Sequence, residues 1–340
     1  MVTRSGDVIE VLEATTKDVR SANVKWLTPA AFRLWRDVGL RGYTGVGLED
    51  SSWRGRSSDR NAAYADLLFD SGLRRSEGAA LLCIELPKVE SGRRYQWGRL
   101  ASATSKSRRP RAFNMRSETL NSIQTYMDST RAGIVRRAQE LGTYEADEDR
   151  RVVEFVKENS RGTFVKWIGP DLVSYAAPLD RISPRVRASL YVPTDRGLEP
   201  CALWLSEDGR PMKSHSWENI FMAATARCRL LLGDSAPFAT PHMLRHTFAL
   251  YMLVALMSSM DSRFGLSPSD RRDFQLLYGD PWRLVQNLLG HASSETTRHI
   301  YLAPVTDLQI RIILEGELED GAEFLSAIAL LSGRVQDVDR

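Results

Sequence analysis

The chain of 340 residues carries 46 Lys and Arg against 43 Asp and Glu, a formal net charge of +3, with 43% hydrophobic and 26% charged residues. This balance excludes a disordered or collagen-like chain. No run approaches the roughly 18 uncharged apolar residues that a membrane span needs, so a globular cytoplasmic protein with no membrane contact is expected.

Residues 1–26 have mixed charge and little periodicity and read as a tail or linker. Thr28 as cap and Pro29 at the first helical position, followed by AAFRLWRDVGL, open the first helix. A Gly/Ser-rich loop then leads to an amphipathic helix over 60–73, a turn at Gly72, and a second helix over 76–86 with Ser76 as its cap. From Arg93 to Met115 short alternating runs flank the polar turn ATSKSRRP, the pattern of a β-hairpin with Lys106 at its tip. Helical periodicity returns from Ser117 to about Leu141. Between about 142 and 200 the chain is irregular, with an acidic cluster and the β-like runs FVKWI, LVSYA and ASLYV. Helices follow at 216–232, 241–257, 282–290 and about 305–331. The expected fold is mainly α with a small antiparallel β-sheet.

Cys83, Cys201 and Cys228 lie far apart with no CxxC pair, which argues against a zinc knuckle or a disulfide framework. Four other features bear on chemistry. Arg74 and Arg75 follow the Gly72 turn, where a guanidinium can point into a cleft. Residues 88–116 hold nine basic side chains and one acid, Glu90, an electrostatic footprint for a phosphodiester backbone. His242 and Arg245 share one face at the start of an apolar helix, where anions are favoured. Leu289-Gly290-His291 ends a helix, and Tyr301 stands ten residues beyond His291. Two arginines, a lysine, two histidines and a tyrosine form an anion-handling set, suited to phosphoryl transfer with fixed cations and no metal or other cofactor.

The strings SGLRRSE (71–77), the Lys106 hairpin, PHMLRHTFA (241–249) and LLGHASSETTRHIY (288–301) resemble, in order, the motifs of the tyrosine recombinase or phage integrase family. The resemblance covers about Leu27 to Leu302 and implies the tyrosine recombinase catalytic-domain fold with insertions. It assigns Tyr301 as nucleophile, with Arg74, Lys106, His242, Arg245 and His291 completing the catalytic set and Glu77 at the acidic position of the first motif. Arg74 and Arg245 would clamp the phosphate, Lys106 would protonate the leaving oxygen, His242 would serve as base towards the tyrosine, and His291 would hydrogen-bond the phosphate. The hairpin departs from the family, with Phe113-Asn114-Met115 where Val-Pro-Leu is usual. Arg93, Arg94, Arg99, Arg108, Arg109 and Arg111 are the expected contacts to the DNA backbone.

The intervals from Lys106 to His242 and from Arg245 to His291 exceed those of a compact family member. The excess falls in insertions of about 142–200 and 258–281, length that loops absorb at little thermodynamic cost. Residues 27–340 are thus expected to form one catalytic domain. Family members usually carry a helical core-binding domain before the catalytic one. Residues 1–26 leave no room for it, which implies either that this chain is a fragment lacking that domain or that it binds double-stranded DNA with the catalytic domain and its insertions alone. The helix over about 305–331 suits packing on its own domain or docking on a neighbouring protomer of a tetramer. The expected activity is site-specific DNA recombination or integration through a 3′-phosphotyrosyl intermediate. The alternatives are a relaxing enzyme like a type IB topoisomerase and a catalytically weak DNA-binding regulator on the same scaffold.

Overall fold

A computed structural model describes residues 25–159, 162–262, 281–290 and 335–336. The short strand β1 (Trp26–Leu27) pairs in parallel with Val335–Gln336. Trp26 is fully buried, so the expected tail ends one residue earlier than its pattern suggests. In α1 (Pro29–Arg36), the Thr28 hydroxyl accepts from the Ala31 amide at 3.1 Å and Pro29 occupies the first turn, as expected.

The central element is α2 (Ser58–Ser71). It is buried on nearly every side, including Arg60, Asp66 and Asp70, and each of those polar groups has a partner. Arg60 donates to the Leu205 carbonyl at 2.6 Å, Asp66 accepts from Arg36 at 2.8 Å, and Asp70 accepts from Arg116 at 2.9 Å and Thr119 at 2.5 Å. Tyr64 stacks on Trp217 at 3.5 Å between centroids and meets Trp204 edge-on at 5.4 Å. Tyr126 stacks on Trp204 at 5.6 Å. These rings fix the short α3 (Arg75–Ala79), because the Tyr64 hydroxyl donates to the Arg75 carbonyl at 2.8 Å and the Trp204 indole to the Gly78 carbonyl at 2.9 Å.

The helix expected over 76–86 therefore stops at Ala79. Beyond it the backbone pairs sideways: Leu82 bridges Ala202, Cys83 N donates to Cys201 O at 2.9 Å, and Leu203 N donates to Leu81 O at 3.0 Å. Strand-like partners take the hydrogen bonds that a continued helix would have used. The cap is also not Ser76, since Arg74 holds that position.

The expected hairpin is present as β2 (Tyr95–Leu100) and β3 (Arg111–Arg116), antiparallel from Tyr95↔Arg116 to Leu100↔Arg111, with Lys106 in the connecting turn. Then α4 (Ser117–Tyr126) runs through a wide turn at Met127–Arg131 into α5 (Ala132–Glu140).

The segment expected to be irregular is a five-stranded mixed sheet. Its strands are β4 (Arg151–Asn159), β5 (Gly162–Ile168), β6 (Ser174–Pro178), β7 (Leu190–Thr194) and β8 (Gly197–Pro200), in the order β6-β5-β4-β7-β8. Only the β4–β7 pair is parallel. Val153, Val165, Trp167, Leu179 and Leu190 pack together with Leu82 and Cys201, so this sheet shares its core with the chain on either side. Two buried arginines tie it down: Arg131 reaches Glu199 and the Ala202 carbonyl, and Arg187 of α6 (Pro184–Arg187) pairs with Glu85 at 2.5 Å.

The remaining helices are α7 (Ser216–Leu232), α8 (Pro241–Ser262) and α9 (Pro281–Leu289). The insertion expected at 258–281 falls largely outside the described residues, as do the helix at 305–331, His291 and Tyr301. Among the described residues no helix is long and apolar enough to cross a membrane.

Gly72 ends α2 with φ +61°, and a Cβ there would lie 2.2 Å from the Phe248 ring. A left-handed backbone costs an L-residue about 1–2 kcal/mol, and the clash adds to it. Gly72→Ala is expected to destabilise the protein by about 2 kcal/mol or more, read as a lower urea midpoint. Coincident midpoints would show that Phe248 moves freely and that the turn tolerates a side chain.

Candidate active site

The Gly72 turn delivers Arg74 in an extended conformation to the start of α3. Its amide donates to Glu77 Oε2 at 2.8 Å and its Nη1 to Glu77 Oε1 at 3.0 Å. Glu77 is 0% exposed. From β3, Arg111 grips the same carboxylate with a fork, Nη1 to Oε1 at 3.1 Å and Nη2 to Oε2 at 2.6 Å. Burial alone would raise the Glu77 pKa, but the hydrogen bonds and charge of Arg111, the Arg74 amide and the charge of Arg245 outweigh it and hold the group at about 2.

The last carbonyls of a helix lack intrahelical partners and favour cations. At the end of α9, Arg111 Nε donates to the Leu288 carbonyl at 3.0 Å and Arg245 Nη2 to the Leu289 carbonyl at 2.5 Å. Arg245, on α8, also donates through Nη1 to the Gly72 carbonyl at 2.5 Å. The three motifs around Arg74, Arg245 and Leu289 thus meet through backbone carbonyls and one carboxylate. His291 follows Gly290 directly in sequence but lies outside the described residues, as does Tyr301.

Helix α8 opens with Pro241 in its first turn, and the Thr240 hydroxyl accepts from the Met243 amide at 3.1 Å. That start places His242 and Arg245 on the wall of a cleft of about 630 Å³, which Arg74 and Lys106 also line. Four of the six expected catalytic residues therefore share one opening. Arg75 lines it too, but pairs with Glu218 on α7. His242 Nε2 stands 2.9 Å from Nε2 of the buried His246. Burial, then the charges of Arg245, Arg74 and Lys106, push the His242 pKa below its ordinary 6.5, so the imidazole is neutral at pH 7 and able to accept a proton.

The expected DNA-backbone cations divide. Arg93, Arg94, Arg99, Arg108 and Arg109 are exposed. Arg93 pairs with Glu90 at 2.7 Å, and Arg94 lies over the Tyr95 ring. Arg111 is not a surface contact. Its side chain is 8% exposed and saturated by Glu77 and Leu288. The alternation of β3 carries that signal, because Arg111 shares the inward face of Phe113 and Met115. His246 was likewise legible as a partner, being one helical turn from His242. Among the described residues no group of three His, Cys, Asp or Glu side chains could hold a metal ion.

No curated protein matches the sequence. Among solved structures, the chain is similar to XerA recombinase at 15% identity over 86% of this chain and 66% of that one, with a TM-score of 0.42. It is similar to the XerH site-specific recombinase in a post-cleavage complex with palindromic difH substrate at 12% identity over 91% and 58%, TM-score 0.45. It is also similar to the Tn1549 transposon integrase in complex with circular intermediate DNA at 13% over 82% and 62%, TM-score 0.40. The chain therefore spans less than two thirds of the length of each of these structures. The family model described as the phage integrase family matches residues 52–261, more than half of the chain and the part that holds Arg74, Glu77, Lys106, His242 and Arg245, and the chain belongs to that family of tyrosine recombinases.

Proposed function

We propose that this protein is a site-specific DNA strand transferase that breaks and rejoins double-stranded DNA through a 3′-phosphotyrosyl intermediate. The observation that carries this reading is the single cleft lined by Arg74, Lys106, His242 and Arg245, a cationic site with a neutral imidazole on its wall. Tyr301 and His291 enter through their motif alone.

In the proposed reaction the Tyr301 oxygen attacks the scissile phosphorus and its proton passes to His242. The bond from phosphorus to the 5′-oxygen breaks, and that oxygen leaves with a proton from the Lys106 ammonium. Arg74 and Arg245 hold the non-bridging oxygens, and His291 hydrogen-bonds the phosphate. Guanidinium forks match phosphate geometry and keep their charge at neutral pH. Because Glu77 and the helix-end carbonyls already orient these cations, little reorganisation is needed as charge develops on the phosphate. The phosphotyrosine stores the bond energy, and a partner 5′-hydroxyl reverses the chemistry to reseal. Arg93, Arg94, Arg99, Arg108 and Arg109 would meet the flanking phosphates, a contact that positions the duplex without reading its sequence. Residues 27–340 read as one catalytic domain, with the sheet-forming segment of about 142–200 inserted in it. The segment about 305–331 is assigned to docking between protomers of a tetramer on DNA.

Two experiments test the reading. A nicked suicide duplex, carrying a site that the protein selects from random-sequence DNA, is expected to give a covalent adduct that Tyr301→Phe abolishes. An adduct surviving that change would exclude the nucleophile, and tight binding with no adduct would favour the regulatory alternative. The second is the pH profile. With the His242 pKa lowered in the free protein, the base is neutral at and above about pH 7, so the cleavage rate at limiting DNA, which reports the free protein, should have the midpoint of its acid limb below about 6.5. A rate already halved above 6.5 would contradict the assignment of the base.

A further inference from the structure

Building on the reading of Lys106 as proton donor, we propose that Asp180, in the short helical turn Leu179–Arg181 that follows β6, is a positioning residue for Lys106 and serves strand cleavage by setting the turn that carries this lysine. Lysine presents a compact charge on a flexible four-carbon stem. A proton donor must come within hydrogen-bond reach of the atom it protonates, so its backbone has to be placed by something else. Lys106 itself is exposed in the β2–β3 turn.

The turn is anchored from outside the hairpin. Asp180 Oδ1 accepts from the Ser102 amide at 2.9 Å and Oδ2 from the Ser102 hydroxyl at 2.7 Å. The Asp180 carbonyl accepts from the same hydroxyl at 2.9 Å and from the Ala103 amide at 3.0 Å. From these two residues the conformation propagates to Lys106. The Ser105 amide returns to the Ala101 and Ser102 carbonyls, Thr104 Oγ1 donates to Ala101 O at 2.9 Å, and the Arg108 amide closes onto Ser105 O at 3.0 Å. Ser105 is buried, and Arg108 takes a positive φ of 54°, so Lys106 sits between a buried residue and a tightly constrained one.

Asp180 is in turn held on both flanks. Arg187 donates to the Leu179 carbonyl at 2.8 Å and to the Ile182 carbonyl at 2.9 Å, while its Nη1 reaches Glu85 at 2.5 Å. The chain of contacts runs from Glu85 through Arg187 to the carbonyls of Leu179 and Ile182, and from Asp180 between them to Ser102 and the Lys106 turn. Asp180 does not line the cleft with the proposed catalytic residues. It lines a separate pocket with Arg99 and the β4–β5 end. Its effect on the chemistry therefore passes through the turn.

A bridging sulfur separates this role from a merely structural one. In a duplex with sulfur in place of the 5′-oxygen at the scissile phosphate, the leaving thiolate departs without a proton and the donor is no longer needed. Cleavage by the full chain is measured on the oxygen and sulfur forms of the same nicked duplex, with wild type, Lys106→Ala, Asp180→Ala and the milder Ser102→Ala, alongside DNA affinity. On the oxygen form Lys106→Ala should be slower by about 100-fold or more, Asp180→Ala by about tenfold, and Ser102→Ala by less. On the sulfur form all three should return to about the wild-type rate, with affinity unchanged throughout. If sulfur restores Lys106→Ala but not Asp180→Ala and Ser102→Ala, or if Asp180→Ala cleaves the oxygen form at the wild-type rate, the positioning role is overturned and Lys106 stands. If sulfur fails to restore Lys106→Ala, Lys106 is not the donor and both assignments fall.

Discussion

The rest of the site depends on one buried carboxylate. Glu77 has no solvent contact, so its charge survives only because Arg111 and Arg74 surround it with hydrogen bonds. Opening such a buried pair on one side costs about 3–5 kcal/mol, because the remaining charge is stranded. That penalty makes the arrangement close to all-or-none. While Glu77 is ionised and enclosed, the start of α3, the first residue of β3 and, through Arg111, the end of α9 are held in one register.

The same economy extends outward. Arg111 and Arg245 each hold one terminal carbonyl of α9, and Arg245 also holds the Gly72 carbonyl at the end of α2. Three segments far apart in sequence are therefore joined by guanidiniums that satisfy helix-end carbonyls, and of the two only Arg245 also lines the cleft. Beneath them Tyr64 and Trp204 fix the carbonyls of α3, so the helix bearing Glu77 rests on a packed aromatic floor. A site assembled this way is set in advance, and fixed dipoles and charges of that kind are what the proposed phosphoryl transfer would require.

Much of this was legible in the sequence where local chemistry settled the outcome. The Thr28-Pro29 helix start, the Gly72 turn, the hairpin around Lys106 and the shared face of His242 and Arg245 each follow from short-range rules. What escaped depended on distant partners. The helix over 76–86 ended early because residues 201–203 supplied strand-like hydrogen bonds to 81–83. Arg111 looked like one more surface cation in a basic run, and became an internal clamp because Glu77 waits 34 residues earlier in the chain. The runs FVKWI, LVSYA and ASLYV signalled strands. Their pairing into a sheet of order β6-β5-β4-β7-β8, with one parallel pair, is a matter of long-range register that alternation alone does not specify.

The most direct measurement is the difference in unfolding free energy between wild type and Glu77→Gln, followed by urea denaturation as a function of pH. Glu77 has its folded pKa lowered from 4.5 to about 2, so its contribution is fully present above about 4.5 and is lost as pH falls towards 2. Wild type should exceed the variant by about 3 kcal/mol or more at pH 7, and that margin should shrink by about 3 kcal/mol as the solution is acidified through this window. A margin that stays constant with pH, or a variant as stable as wild type at neutrality, would contradict the claim that this carboxylate holds the site together.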